Sequence, residues 1–239
     1  MKHDGETRLT PPAAPSGAAA VFRDRLALAE AFVGALADTG VTHGLIGPRE
    51  VPRLWDRHVL NCAVIEDSFP AGARVVDVGS GAGLPGLALA LARPDLEVHL
   101  VEPMLRRTTW LEGVVGDLDL AGVTVHRGRA EELAGRLAAP WVTARAVARL
   151  AKLARWCVPL LEPGGTLVAM KGRTAGEELA EDGPALRRLG LGKGVVTEHG
   201  VSVLDEPVLT VDLPLLGTGT STTWSPRRGG RARRQGRST

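Results

Sequence analysis

The chain contains no tyrosine, and its other aromatics are 3 phenylalanines and 5 tryptophans in 239 residues. A surface that stacks nucleobases has few rings to use here, and arginine planes are the expected substitute. Cysteine is scarce too. Cys62 and Cys157 are too few for a disulfide scaffold and lack metal-ligand spacing, so they are expected to be buried free thiols, with no metal site. No uninterrupted apolar run is long enough to cross a bilayer. Met1 to Ala20 is polar, then rich in Pro and Ala, without the apolar centre of a secretory signal. These absences point to a cytoplasmic protein with no membrane contact.

Acidic residues are missing from the C-terminal end. The last is Asp212, and beyond it stand Arg227, Arg228, Arg231, Arg233, Arg234 and Arg237. The net charge of +2 therefore hides an acidic body and a basic tail. The tail from 216 to 239 has no apolar periodicity and is expected to be disordered. It suits a polyanion, because each arginine that neutralises a phosphate releases a counterion. A purely solubilising tail is the equal alternative.

What is present is an ordinary soluble composition, 44% hydrophobic and 23% charged, with length enough for a core. Residues 1–20 read as a flexible leader. Helical periodicity follows over Ala20–Ala37 and about Pro48–Cys62, making residues 21–70 an N-terminal helical layer. Strands and helices then alternate. Strands are expected at Arg74–Val78, Glu97–Val101, Val123–His126, Val142–Val147 and Thr166–Met170. Helices are expected at Leu84–Ala92, Met104–Val115, Leu150–Leu161 (ended by Pro163-Gly-Gly165) and Gly176–Leu189. Gly194–Val203 and Val208–Leu213 have no helix between them and read as an antiparallel pair at one edge. The expectation is a doubly wound α/β sheet over residues 71–215, mostly parallel.

The strongest local feature is Val75-Val-Asp-Val-Gly-Ser-Gly-Ala-Gly-Leu-Pro-Gly86, at the end of the first strand and before a helix. Ligands of open α/β sheets bind beyond such strand ends. Gly81-x-Gly83-x-x-Gly86 matches a dinucleotide fingerprint, with Glu102 as its ribose acid, so a nicotinamide-dependent oxidoreductase is one reading. The spacing Gly79-x-Gly81-x-Gly83 and the carboxyl of Asp77 favour another. A pyrophosphate is repelled by a nearby carboxylate, whereas the ammonium and sulfonium of S-adenosylmethionine are attracted. Glu102, ending the second strand, can accept both hydroxyls of a ribose in either case. Ala130 and Glu131, after the third strand, are candidates for reading an adenine edge. Arg145 lies in a largely apolar stretch ending the fourth strand, and Lys171 closes the fifth. Both cations are placed to meet a phosphate or a base edge.

Asp77-Val-Gly-Ser-Gly-Ala-Gly-Leu-Pro-Gly86 resembles the glycine motif of the bacterial small-subunit rRNA guanine-N7 methyltransferases, also called the glucose-inhibited division protein B family. Trp55-Asp-Arg-His58 resembles that family's Trp-x-Arg-His element, and Arg127-x-Arg-Ala-Glu131, Ala144-Arg-Ala146 and Lys171-Gly172 fall in family order. The resemblance covers about residues 21–213 and departs at Asn61-Cys62, where many members read Asp-Ser. It implies a Rossmann-like class I methyltransferase fold with S-adenosylmethionine as donor. The implied acceptor is a guanine in the decoding-region loop of 16S rRNA, free or within the small ribosomal subunit. It carries a cofactor role onto Gly79, Leu84, Ala130, Glu131 and Arg145. Candidate RNA contacts are Trp55, Arg57, His58, Lys171, Arg227, Arg228 and Arg231. Arg145 and Lys171 are candidates for positioning, with no single catalytic acid or base expected, and the chain is expected to act as a monomer. A methyltransferase of the same fold acting on a small molecule or protein, or a module that binds RNA without catalysis, is also compatible with these residues.

Overall fold

The computed structural model describes residues 10–145 and 148–217. Residues 1–9 of the expected leader, the arginine tail with Arg227, Arg228 and Arg231, and Ala146 and Val147 lie outside them. Among the described residues seven strands form one sheet: β1 Arg74–Val78, β2 Glu97–Glu102, β3 Val123–Arg127, β4 Ala139–Arg145, β5 Leu161–Lys171, β6 Val195–His199 and β7 Val208–Pro214. Their order is β3-β2-β1-β4-β5-β7-β6. The first five run parallel, β7 is antiparallel to β5, and β6 is antiparallel to β7 at the edge. The expected doubly wound sheet and its antiparallel pair are both present. After β1 the chain winds outward through β2 and β3, then returns to the other side of β1 as β4. That reversal creates a crevice beyond the carboxyl ends of β1 and β4.

The helices are α1 Ser16–Phe22, α2 Leu26–Ala35, α3 Leu60–Ala63, α4 Gly86–Ala92, α5 Leu105–Asp117, α6 Ala130–Leu133, α7 Leu150–Cys157 and α8 Ala175–Arg188. The sequence of α4, Gly-Leu-Ala-Leu-Ala-Leu-Ala, is apolar all round, and every residue in it is buried. A helix with no polar face needs cover on both sides. One side of α4 packs on β1 and β2; the other meets α1, α2 and α3. The N-terminal layer thus completes the core and brings His58 to Arg145 at the end of β4. β1 is buried along nearly its whole length, as a central parallel strand should be. Successive side chains alternate faces, Val75 toward the N-terminal layer and Val76 toward α7 and α8.

Some boundaries move. The leader ends before residue 20, because α1 begins at Ser16 and Ala18 is fully buried. The two N-terminal helices are each broken, with a 3-10 turn at Arg23–Arg25 and tighter or wider turns over Leu36–Gly40, Pro48–Arg53 and Leu54–Val59. The helix expected to reach Leu161 stops at Cys157 and finishes as a 3-10 turn over Val158–Leu160. Pro159 supplies no N–H for a further helical turn. β5 starts at Leu161 and runs through Pro163-Gly-Gly165, five residues before the expected strand start at Thr166. A Cβ on Gly165 would lie 2.6 Å from the Pro140 carbonyl oxygen, so this glycine allows two strands to approach.

Candidate active site

The register aligns the strand ends. Val78 pairs with Val101, Asp77 with Thr143, Glu102 with Arg127 and Arg145 with Met170. One residue past β1, Gly79 therefore stands level with Glu102 on one side and Arg145 on the other. Sequence-distant candidates are brought into one transverse row at the crevice.

The glycines divide by role. Gly79 and Gly81 have φ of +75° and +57°, a left-handed conformation that costs other residues energy. A Cβ on Gly79 would meet nothing within 4 Å, and one on Gly81 only the Gly79 carbonyl at 3.8 Å. These two leave open space over the backbone. A Cβ on Gly83 would lie 2.4 Å from Leu87 Cδ1, and one on Gly86 would lie 2.3 Å from Leu100 Cδ2. Those two serve packing of the loop and α4 against the sheet.

Two carboxylates hold the loop. Glu102 is 2% exposed, and its Oε2 accepts the Gly81 N–H at 3.1 Å while Oε1 accepts the Met104 N–H at 3.1 Å. Arg107 Nη1 stands 3.4 Å from the same Oε2. Oε2 thus accepts two donors and Oε1 one, so Oε1 retains a lone pair for a ribose hydroxyl. Asp77 is fully buried, and its Oδ2 accepts the Gly86 N–H at 3.0 Å. Its Oδ1 is buried without a hydrogen-bond partner among the described residues. Burial pushes its pKa up to about 7, against the pull of the Gly86 N–H, the Ser80 side chain and the Arg145 charge. A cation brought near would favour its ionised form. A buried carboxyl oxygen without a partner, in a loop with two open glycines, fits a ligand with an ammonium and a sulfonium and does not fit a pyrophosphate.

Arg145 leans toward the N-terminal layer. Its Nη1 donates to the Arg57 carbonyl at 3.2 Å, and its Nη2 approaches His58 Nδ1 at 3.4 Å. His58 Nε2 donates to Glu50 Oε2 at 2.8 Å. Burial lowers the His58 pKa below the usual imidazole range, only partly offset by Glu50. Arg57 is half exposed and keeps a long 3.8 Å contact with Glu50. Glu50 was not singled out in the sequence. It sits eight residues before His58 in an irregular segment, where no periodicity announces the pairing. After β3, Ala130 is buried at the start of α6, and Glu132 accepts the Arg129 N–H at 2.9 Å as a helix cap. Glu131 stays exposed, with no hydrogen bond or ion pair among the described residues. It remains the acid available to a ligand there.

Two expectations are corrected. Trp55 is 3% exposed, packs edge-on against Phe22 and donates through Nε1 to the Pro12 carbonyl at 3.0 Å. It is a core residue of the N-terminal layer and presents no face to a base. Lys171 is 5% exposed, with Nζ 2.7 Å from Glu178 Oε2 and 2.9 Å from the Ala148 carbonyl oxygen. Its charge is engaged internally, tying the end of β5 to α8 and to the approach to α7. Both cysteines are buried free thiols, as expected, and burial pushes the Cys62 thiol up to about 11.

The family model described as rRNA small subunit methyltransferase G matches residues 25–199. A protein named ribosomal RNA small subunit methyltransferase G from Salinispora tropica is 53% identical over 210 residues, covering 85% of this chain and 87% of that one. One of the same name from Pseudarthrobacter chlorophenolicus is 56% identical over 191 residues, covering 80% and 88%. Among solved structures, a SAM dependent methyltransferase from Aquifex aeolicus superposes with a TM-score of 0.53 at 19% identity, over 73% of this chain and 98% of that chain, a likeness of fold. On these matches, the chain belongs to the rRNA small subunit methyltransferase G family.

Proposed function

We propose that this protein transfers a methyl group from S-adenosylmethionine to N7 of a guanine in the decoding-region loop of 16S rRNA. The observation that carries the donor assignment is the pairing, in one loop, of a buried Asp77 Oδ1 without a partner and the open backbone of Gly79 and Gly81. The names of its relatives support small-subunit rRNA as the substrate, and the resemblance of the glycine motif supports guanine N7 as the acceptor. Asp77, Gly79, Gly81, Leu84, Glu102, Ala130, Glu131 and Arg145 are the residues that would hold the donor, with Gly83 shaping the loop behind them. When bound, the donor supplies an electrophilic methyl group on a positively charged sulfur.

Guanine N7 is an acceptor with a free lone pair and no proton. Its attack on a methyl group leaves no proton to remove at the reacting nitrogen, so the site needs no general base. The protein's work is orientation: the loop fixes one partner and the crevice walls fix the other in line. The methylated guanine gains positive charge, so a free cation beside N7 would oppose the reaction. Arg145 avoids this by turning its guanidinium toward the Arg57 carbonyl and His58. The target base must leave its stack to enter the crevice. Arg57, whose side chain is half exposed, would meet RNA phosphate. The tail arginines Arg227, Arg228 and Arg231 add sequence-independent attraction. Among the described residues no helix is long and apolar enough to cross a membrane. A cytoplasmic monomer acting on the small ribosomal subunit or its 16S rRNA is the accompanying proposal.

The test is binding followed by transfer. Calorimetry should show S-adenosylhomocysteine bound and NAD not bound. Labelled donor mixed with small ribosomal subunits should then yield labelled N7-methylguanosine after digestion to nucleosides. NAD binding in place of the homocysteine, or label in any other nucleoside or in protein, overturns the reading.

A further inference from the structure

We infer that Glu50 is a positioning residue of the donor site, acting through His58 to hold Arg145; the inference rests on the reading of Arg145 as part of that site.

The geometry determines the proton's place. A guanidinium has donors only, so Arg145 Nη2, 3.4 Å from His58 Nδ1, requires a bare lone pair on that nitrogen. The ring proton then sits on Nε2 and is donated to Glu50 Oε2 at 2.8 Å. Glu50 fixes the tautomer that leaves Nδ1 free as an acceptor. The ring cannot swivel freely either, since the His58 side chain is 12% exposed and anchored at one nitrogen. Arg145 is thereby held at two points, by His58 and by the Arg57 carbonyl at 3.2 Å. Both points lie on the segment Leu54–Val59, while Arg145 ends β4. Glu50 comes from the 3-10 turn Pro48–Arg53. Three separate elements thus converge to fix one guanidinium, whose backbone lies in the row containing Gly79.

The alternative tautomer, with hydrogen on Nδ1, would point a donor at a donor. Protonation of His58 would do the same and add like charge. Without Glu50 only the long Arg145 contact still favours the Nε2–H form, so the other tautomer is populated and Arg145 loses one of its two anchors in part of the population. Glu50 also lies 3.8 Å from Arg57 Nε, a second route by which its removal could act. The test must separate the two routes.

A double-mutant cycle does so. The full-length protein and its Glu50→Ala, His58→Asn and Glu50→Ala/His58→Asn variants are titrated with S-adenosylhomocysteine by calorimetry, with Arg145→Ala as reference. Asparagine offers a carbonyl oxygen near the place of Nδ1 without any need of Glu50. Glu50→Ala should weaken binding on the order of tenfold, the scale of a hydrogen bond to a charged group. His58→Asn should stay within about threefold of the parent, since an acceptor is kept. Adding Glu50→Ala to His58→Asn should cause no further loss. In parallel, the ring nitrogen shifts of His58 in 15N NMR should show protonated Nε2 in the parent and a tautomer mixture in Glu50→Ala. Glu50 is a half-exposed surface residue, so its variants should keep the parental melting temperature.

Parental affinity and an unchanged tautomer in Glu50→Ala, while Arg145→Ala binds poorly, overturn the inference alone. An equal loss from Glu50→Ala in the His58→Asn background overturns it as well, because Glu50 then acts by another route. If Arg145→Ala binds S-adenosylhomocysteine like the parent, the underlying reading of the donor site is what fails.

Discussion

Asp77 Oδ2 accepts the Gly86 N–H at 3.0 Å, joining the end of β1 to the first residue of α4 across the whole glycine loop. One carboxyl oxygen closes the loop and the other is left buried without a partner. The group is costly to the protein alone and useful to a cationic ligand.

This cost has a sign and a pH window. The Asp77 pKa is raised to about 7 in the fold, mainly by burial, from an unfolded value near 3.9. Between those values the native state binds more protons than the unfolded state, so Asp77 erodes stability as pH rises through the window. Asp77→Asn keeps an oxygen for the Gly86 N–H and removes the buried charge. It should stabilise the ligand-free protein at about pH 8 by a few kcal/mol at most, on the scale of about 1.4 kcal/mol per pH unit. It should also weaken donor binding. Melting temperatures at several pH values, with S-adenosylhomocysteine titrations, check both. A variant less stable than the parent at alkaline pH would refute the buried-charge argument.

The glycines should respond differently. Gly81→Val takes on left-handed strain of roughly 1–3 kcal/mol and fills the open space above the loop. Donor binding should collapse while a cooperative fold survives. Gly83→Ala adds a clash with Leu87, costing roughly 1–3 kcal/mol beyond its strain, so stability should fall more than the small added volume suggests. Thermal unfolding and calorimetry on both variants separate the ligand-facing glycine from the packing one. Unchanged donor affinity in Gly81→Val would remove this loop from the site.

Much of this arrangement was legible in the chain itself. The β-branched run Arg74–Val78 followed by glycines marked the central strand and its loop, because both signals are local. The antiparallel edge was legible from the missing helix between β6 and β7. Trp55 was misread because its burial depends on Phe22 and the Pro12 carbonyl, neither of which announces contact along the chain. Lys171 and Glu178 are only seven residues apart, yet their pairing depends on how α8 returns against β5. Glu50 carried no motif at all. Strand ends and glycine loops are written locally; which charges neutralise one another is decided by tertiary packing.

Lys171 should therefore behave as a structural residue. Lys171→Met leaves Glu178 in a half-buried place without its cation and should cost about 3–5 kcal/mol of stability, the scale for breaking a buried pair. Binding to small subunits by the folded fraction should be little changed. Chemical denaturation and subunit binding measured below the melting temperature check this. Normal stability with lost RNA affinity would restore Lys171 as an RNA contact.

The chemistry should be indifferent to a base. At saturating donor and subunits, the single-turnover rate should stay nearly flat from about pH 7 to about pH 8.5, above the range where His58 titrates. Arg145→Ala should lower both donor affinity and the single-turnover rate, because the guanidinium positions the reactants. A rate rising about tenfold per pH unit, and losing that rise in His58→Gln, would mean a proton must be removed and the acceptor is not N7.

The most direct measurement is the map of N7-methylguanosine along 16S rRNA from cells with and without this protein. The expected result is one modified guanine in the decoding-region loop, present with the protein, absent without it, and restored by the parent but not by Gly81→Val. An identical map in both strains, or a modification lost elsewhere in the rRNA, would contradict the assigned substrate.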